Sequence, residues 1–207
     1  RRWVPAPELK RYFPTYPGLH LMDDGRLFYS GSNSGYGSDT VGRTPGVWDL
    51  TDNGFDEVPG LRDPRMTETS SSVLLPPAQE QKVMILGGGE VGESPVSTAR
   101  TDIIDLNEPE PAYRPGPDLP RPARYLSTVV LPDDSVLTTG GSSGYRGGPY
   151  RGRPRSDLFN AQIYRPSTNR FEPAADSTVG RNYHSEAILL ADGRVITLGS
   201  DPLYDRT

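Results

Sequence analysis

Residues 128–141 read TVVLPDDSVLTTGG: a short apolar run, a Pro-Asp-Asp turn, a second apolar run and a pair of glycines. Two such runs on either side of turn residues predict a pair of antiparallel β-strands. Glycine adopts backbone angles that other residues avoid, so the closing pair predicts a tight change of chain direction. No long helical periodicity accompanies these runs, and proline interrupts most windows. The stretch therefore favours an all-β fold over a helical one.

The same pattern occurs three more times, in residues 19–31, 72–89 and 181–200. The glycines that close the four copies are separated by 56, 53 and 59 residues, which is near the roughly 50-residue period of kelch repeats. A second pair of apolar runs follows each of the first three copies, in residues 46–58, 102–115 and 161–173. Each complete repeat is therefore predicted to contain four short strands.

Four antiparallel strands per repeat form one blade of a β-propeller, in which neighbouring blades bury each other's faces. The sequence thus predicts a kelch-type β-propeller, and a β-sandwich with fortuitous spacing is the alternative. The approximate blades are residues 12–61, 62–120, 121–180 and a truncated 181–207. Because a propeller closes with about 4–8 blades, we expect these three and a half blades to be part of a larger protein.

Composition excludes several classes of function. The chain of 207 residues has a formal net charge of -5 and no Cys. It lacks the basic face that nucleic-acid binding requires, so no nucleic-acid partner is expected. Without Cys it has neither disulfides nor thiolate metal ligands. No apolar run is long enough to cross a membrane, so no membrane segment is expected.

Tyr183 and His184 are the strongest candidates for chemistry, because they directly precede the first apolar run of the fourth repeat. Adjacent side chains on a strand point to opposite faces, so both can reach one site only at a strand end or a bulge. Imidazole and phenolate are suitable ligands for copper. The pair is therefore a predicted metal site, and the alternative is that His184 fills a position between blades.

Alignment of the repeats on their turns places Tyr16 and Tyr125 at the position of His184, and Arg124 at that of Tyr183. These three residues are candidate substrate contacts at the mouth of a propeller channel. The alternative for the tyrosines is simple packing.

The other polar candidates are interpreted as structural. His20 lies within a predicted strand, and two histidines so far apart are a poor basis for a complete metal site. Three carboxylates show no spacing that would pair them: Glu68, Glu90 and Glu93.

The segments RNYHS at 181–185 and LLADGRV at 189–195 closely resemble the last-blade signature of the galactose oxidase and glyoxal oxidase family. The preceding repeat extends the resemblance, in residues 123–125, 129–133 and 162–164. The segment YFPTYP at 12–17 is similar to a glyoxal-oxidase-type blade. The resemblance implies a copper-radical oxidase with a seven-bladed propeller, whose N-terminal blades and C-terminal β-domain are expected outside this chain.

By this resemblance, Tyr183 is the axial copper ligand and the base that takes the proton of the substrate hydroxyl, and His184 is an equatorial copper ligand. The implied reaction oxidises a primary alcohol or aldehyde, or such a group on a glycan, with O2 and releases H2O2. It would take place outside the cytoplasm or in the cell envelope. The implied cofactors are one copper ion and a radical on a tyrosine cross-linked to cysteine. Since this chain has no Cys, the cross-link is expected elsewhere in the parent protein, and the 207 residues alone are expected to be inactive.

A non-catalytic kelch propeller that binds glycans or proteins is the rival interpretation. Its natural contact would be the loop Gly144–Arg155, whose arginines are interleaved with glycine and proline. The parent protein could alternatively be a degenerate member of the family, in which case it would not be an oxidase. An upstream Cys within a kelch blade of the parent protein would favour the oxidase.

Overall fold

The computed structural model describes residues 2–38, 40–92, 94–145 and 157–200, and in these ranges the strands form four antiparallel sheets. Sheet 1 contains β1 (Leu19–Leu21), β2 (Leu27–Tyr29), β3 (Gly46–Trp48) and β4 (Phe55–Glu57). Sheet 2 contains β5 (Ser71–Leu74), β6 (Lys82–Leu86), β7 (Thr101–Asp105) and β8 (Arg114–Pro115). Sheet 3 contains β9 (Ser127–Val130), β10 (Val136–Thr139), β11 (Gln162–Arg165) and β12 (Arg170–Pro173). Sheet 4 contains β13 (Ser185–Leu189) and β14 (Val195–Gly199).

The all-β prediction is confirmed, and so are the four strands of each complete repeat. Strands pair in chain order within every sheet. The helical content of the described ranges is two single turns of 3-10 helix, Pro64–Met66 and Ala78–Glu80. No helix in these ranges has the length and apolarity to cross a bilayer. Closure of the sheets into a ring, and the blade boundaries, stay predictions.

The hairpin of β9 and β10 shows why the repeated pattern folds as it does. The carboxylate of Asp133 accepts hydrogen bonds from the backbone N–H and the hydroxyl of Ser135, at 3.2 and 2.6 Å. Asp134 has a φ of 59°, a left-handed conformation that Asp tolerates better than most residues. The turn therefore sets the register in which Val136 pairs with Val130.

The first strands of successive sheets lie side by side, joined by polar side chains. The imidazole Nε2 of His20 on β1 lies 3.0 Å from the Ser72 hydroxyl on β5. On the other side of β5, the hydroxyls of Ser71 and Thr128 are 3.2 Å apart. These contacts bring the starts of the first strands to one region of the surface, where the candidate site lies.

Sheet 2 is covered on both faces because β6 alternates its apolar side chains. Val83 and Ile85 pack into the cluster shared with sheet 1, where Phe28 is fully buried. Met84 and Leu86 pack into the cluster shared with sheet 3. Full burial of one such side chain contributes about 1.5–3 kcal/mol, so these clusters hold the three complete sheets together.

His20 makes the contact between sheets 1 and 2 sensitive to pH. Burial lowers the pKa of His20 to about 4, from an ordinary 6.5. The folded state therefore binds fewer protons than the unfolded state between these values, so stability is full above pH 6.5 and falls as pH drops towards 4. We expect a loss of up to about 3 kcal/mol over this range, measured by urea unfolding at several pH values. In His20→Gln this component of the pH dependence should disappear, and an unchanged pH profile would contradict the expectation.

Candidate active site

A left-handed backbone residue stands one to three positions before the first strand of every sheet. The four residues are Tyr16, Thr69, Tyr125 and His184, with φ values of 54°, 55°, 60° and 62°. Outside glycine such angles are uncommon and cost about 1–2 kcal/mol. Their recurrence at equivalent points confirms the sequence alignment of Tyr16, Tyr125 and His184. It adds Thr69, which that alignment missed because the β5–β6 turn is longer than the others.

Tyr183 and His184 are the two central residues of a β-turn. The turn is closed by a hydrogen bond of 3.0 Å from the backbone N–H of Ser185 to the carbonyl of Asn182. Because His184 is left-handed, the alternation of side chains along an extended strand is interrupted here. The rings of Tyr183 and His184 accordingly lie side by side, with centroids 3.7 Å apart and planes at 31°. The turn thus provides the strand-end geometry that a shared site requires.

An open cavity of about 390 Å³ brings most of the predicted site residues together. Its lining includes Tyr16, Tyr125, Tyr183 and His184. The remaining lining residues are mostly polar: Asn33, Ser34, Thr69, Ser70, Leu126, Asn182, Ser185 and Glu186. Arg124 is not among them. The cavity therefore collects all four left-handed residues, three of which carry an aromatic or imidazole side chain, together with Tyr183.

A larger cavity of about 580 Å³ lies at the opposite ends of the strands, between sheets 2 and 3. Pro76, Asp133 and Arg165 are among its lining residues. It contains none of the predicted site residues, so we place the candidate site in the smaller cavity, where the chemistry-bearing side chains converge.

The Tyr183–His184 pair suits a metal ion in part. A phenol oxygen and an imidazole nitrogen are donors that copper accepts, and their rings share one side of the turn. Tyr125 packs its ring edge against Tyr183, with centroids 5.3 Å apart and planes at 70°. Within the described residues, no group of three or more His, Cys, Asp or Glu side chains converges. The pair accordingly offers two donors, and a complete copper site needs further ligands.

Arg124 has no exposed surface. Its guanidinium donates to the hydroxyl of Thr69 at 3.0 Å and to the carbonyls of Ser94 and Glu90 at 2.7 and 3.2 Å. It also lies 3.8 Å from the carboxylate of Glu68. The guanidinium therefore ties the loops that precede and follow the first hairpin of sheet 2.

Glu68 corrects the interpretation of the carboxylates as unpaired. It is 3% exposed; one carboxylate oxygen faces Arg124 and the other accepts the backbone N–H of Gly92 at 2.8 Å. The partners lie 56 positions apart in sequence, which spacing alone does not connect. Glu93 and residues 146–156 lie outside the described residues, so most of the predicted contact loop Gly144–Arg155 does too.

Asn182 is a site residue that the sequence analysis did not single out. Its side chain is 1% exposed and donates to the carboxylate of Asp157 at 2.5 Å. The backbone carbonyl of the preceding residue, Arg181, accepts a hydrogen bond of 2.6 Å from the backbone N–H of Gly141. A side chain at Gly140 would collide with that carbonyl, which explains the glycine pair after β10.

Comparison with known proteins places this chain in a defined family. Residues 14–206 match the family described as Glyoxal oxidase N-terminus. The chain is 32% identical over 135 residues to a galactose oxidase of Gibberella zeae, a match covering 63% of this chain and 19% of that protein. It is 30% identical over 206 residues to the aldehyde oxidase GLOX of Vitis pseudoreticulata, covering 91% of this chain and 36% of that protein. The chain thus spans well under half the length of either relative.

A solved structure shares the fold. It is described as a novel fungal alcohol oxidase with catalytic diversity among the AA5 family, in complex with copper. The TM-score is 0.56 at 21% sequence identity, and the match covers 87% of this chain and 47% of that chain.

Proposed function

Because this chain belongs to the glyoxal oxidase N-terminal family, we propose that its parent protein is a copper-radical oxidase of primary alcohols or aldehydes. The reaction consumes O2 and yields H2O2. One observation carries the proposal: the rings of Tyr183 and His184 lie next to each other at an open cavity, because the β-turn directs both side chains to the same side. A phenol and an imidazole so placed form a donor pair suited to copper.

Tyr183 has two roles in this proposal. Deprotonated to the phenolate, its oxygen would hold the metal and would accept the proton of the substrate hydroxyl, as a general base. The edge of the Tyr125 ring packs against it, which limits the rotation of the Tyr183 side chain and so orients the oxygen. His184 contributes an imidazole nitrogen as a second ligand. When bound, copper would supply Lewis acidity towards the substrate oxygen and exchange single electrons.

Tyr16 and Tyr125 are the proposed substrate contacts. Both line the cavity with Tyr183, and Tyr16 is 80% exposed, so its ring is accessible to a small aldehyde, an alcohol or a sugar. Arg124 has no exposed surface, so we propose a structural role for it in place of the predicted substrate contact.

The remaining parts of the copper site are proposed to lie in the parent protein beyond these 207 residues. They are the additional ligands and the tyrosine–cysteine radical, since this chain has no Cys. Family membership is also the ground for proposing that the protein acts outside the cytoplasm.

Copper binding and peroxide release by the full-length protein test the proposal. We expect about one copper per molecule by metal analysis. We also expect peroxide on addition of a primary alcohol or aldehyde in air, and none after removal of copper with a chelator. A protein that binds no copper and releases no peroxide with any member of a panel of alcohols, aldehydes and sugars would favour the non-catalytic binding propeller instead.

A further inference from the structure

Asn182 connects the turn that carries Tyr183 and His184 to both of its flanks. Its backbone carbonyl accepts the N–H of Ser185, closing the turn at 3.0 Å. Its side-chain oxygen accepts the hydroxyl of Ser200 at 3.2 Å, beyond the end of β14. Its side-chain N–H donates to the carboxylate of Asp157 at 2.5 Å. The backbone N–H also points to the Ser200 hydroxyl, at 3.5 Å, so all four polar groups of this buried residue are engaged in holding the turn.

Asp157 is itself held by a ladder of backbone bridges. It pairs with Ser142, which pairs in turn with Arg124. Ser142 and Arg124 exchange two backbone hydrogen bonds of 2.8 and 2.9 Å. The Arg124 side chain is fully buried and hydrogen-bonded to Thr69, Ser94 and Glu90, so the ladder ends at a residue anchored between sheets 2 and 3. Through Asp157, Asn182 is therefore hydrogen-bonded to residues that lie outside its own sheet.

We propose that the Asn182–Asp157 hydrogen bond is a positioning device for the copper ligands. It helps to hold the left-handed conformation of His184, which is unfavourable relative to ordinary backbone. Without it the turn relaxes towards extended geometry, in which adjacent side chains diverge to opposite faces, and Tyr183 and His184 no longer share one metal ion. This inference rests on the proposed copper role of the pair.

The test compares two alanine variants of the full-length protein. Asn182→Ala removes the bond in question together with the acceptor of the Ser200 hydroxyl, and Asp157→Asn alters the bond to position 157 alone. Asn160→Ala removes a bond of the same chemistry elsewhere, since Asn160 donates to the carboxylate of Asp176 at 3.0 Å. We expect Asn182→Ala to weaken the Kd for Cu(II) about tenfold or more, in the range reported for outer groups that orient metal ligands. Its Cu(II) electron paramagnetic resonance spectrum should also change. Asn160→Ala should keep the wild-type Kd and spectrum.

A readout without metal separates this inference from the proposed function. In the copper-free protein, hydrogen exchange at the Ser185 amide should be at least tenfold faster in Asn182→Ala than in wild type or Asn160→Ala. If wild type binds no copper, the proposed function fails while exchange still reports on the turn. Wild-type copper affinity in Asn182→Ala, or unchanged exchange at Ser185, overturns the inference. Should Asn182→Ala not fold, Asp157→Asn, which keeps the side-chain size and weakens the acceptor, is measured in the same way with the same expected direction.

Discussion

Replacement of Tyr183 by phenylalanine should lower oxidase turnover of the full-length protein by roughly 10²–10⁴-fold, the range typical of losing a general acid or base. The change removes the phenol oxygen, which is both the proposed ligand and the proposed base. It keeps the ring, and with it the contacts to Tyr125 and His184. The melting temperature should therefore stay close to that of wild type, so that the loss is one of chemistry rather than of folding. Initial rates of peroxide formation measure the effect.

Tyr164→Phe is the matched control for this prediction. It also removes one tyrosine hydroxyl, which donates to the side chain of Asn169 at 2.8 Å. Tyr164 lines the other cavity, at the opposite ends of the strands, so turnover should be unchanged. Wild-type turnover in Tyr183→Phe would remove Tyr183 from the reaction and would return the Tyr183–His184 pair to a packing role.

Replacement of Arg124 by methionine should destabilise the fold by about 3–5 kcal/mol, the usual cost of breaking a buried charge pair by removing one partner. Methionine has similar length but leaves the carboxylate of Glu68 without its cation and the carbonyls of Ser94 and Glu90 without a donor. Urea unfolding of the full-length protein, followed by circular dichroism, measures the difference.

Two further variants define the origin of this loss. Arg165→Met removes an exposed arginine that contacts Glu172 at 2.6 Å, and because solvent screens such pairs, its unfolding curve should overlay that of wild type. Adding Glu68→Gln to Arg124→Met should recover part of the stability, since the buried carboxylate is then neutral. Equal losses in Arg124→Met and Arg165→Met would refute the buried pair as the cause.

The strands of this protein follow from its sequence because their signals are local. The β9–β10 hairpin needs only an apolar run on each side of residues 132–135, and the structure forms this hairpin. The turn that displays Tyr183 and His184 is local too, since it spans residues 182–185. Sequence reasoning therefore placed this pair at a strand end correctly.

The supports of the site could not be predicted in the same way. Asn182 meets Asp157 across 25 positions, and Arg124 meets Glu68 across 56. These contacts join loops whose paths depend on the packing of whole sheets, and strand periodicity says nothing about them. Arg124 occupies the repeat position of Tyr183, yet its side chain is fully buried and does not line the cavity. The direction of a side chain beside a left-handed residue depends on backbone angles, which a count of residues does not contain.

The four left-handed residues at the starts of the sheets have a consequence for how new activities arise on this scaffold. Each presents its side chain near the strand starts, and the four residue types differ widely: Tyr16, Thr69, Tyr125 and His184. Strand pairing, the buried clusters and the glycine pairs do not depend on which side chain stands there. Thr69 is the exception, because its hydroxyl accepts a hydrogen bond from the buried guanidinium of Arg124. At the other three positions we expect the reactive group to be exchangeable, so that the chemistry of the rim can change while the strands beneath it stay the same.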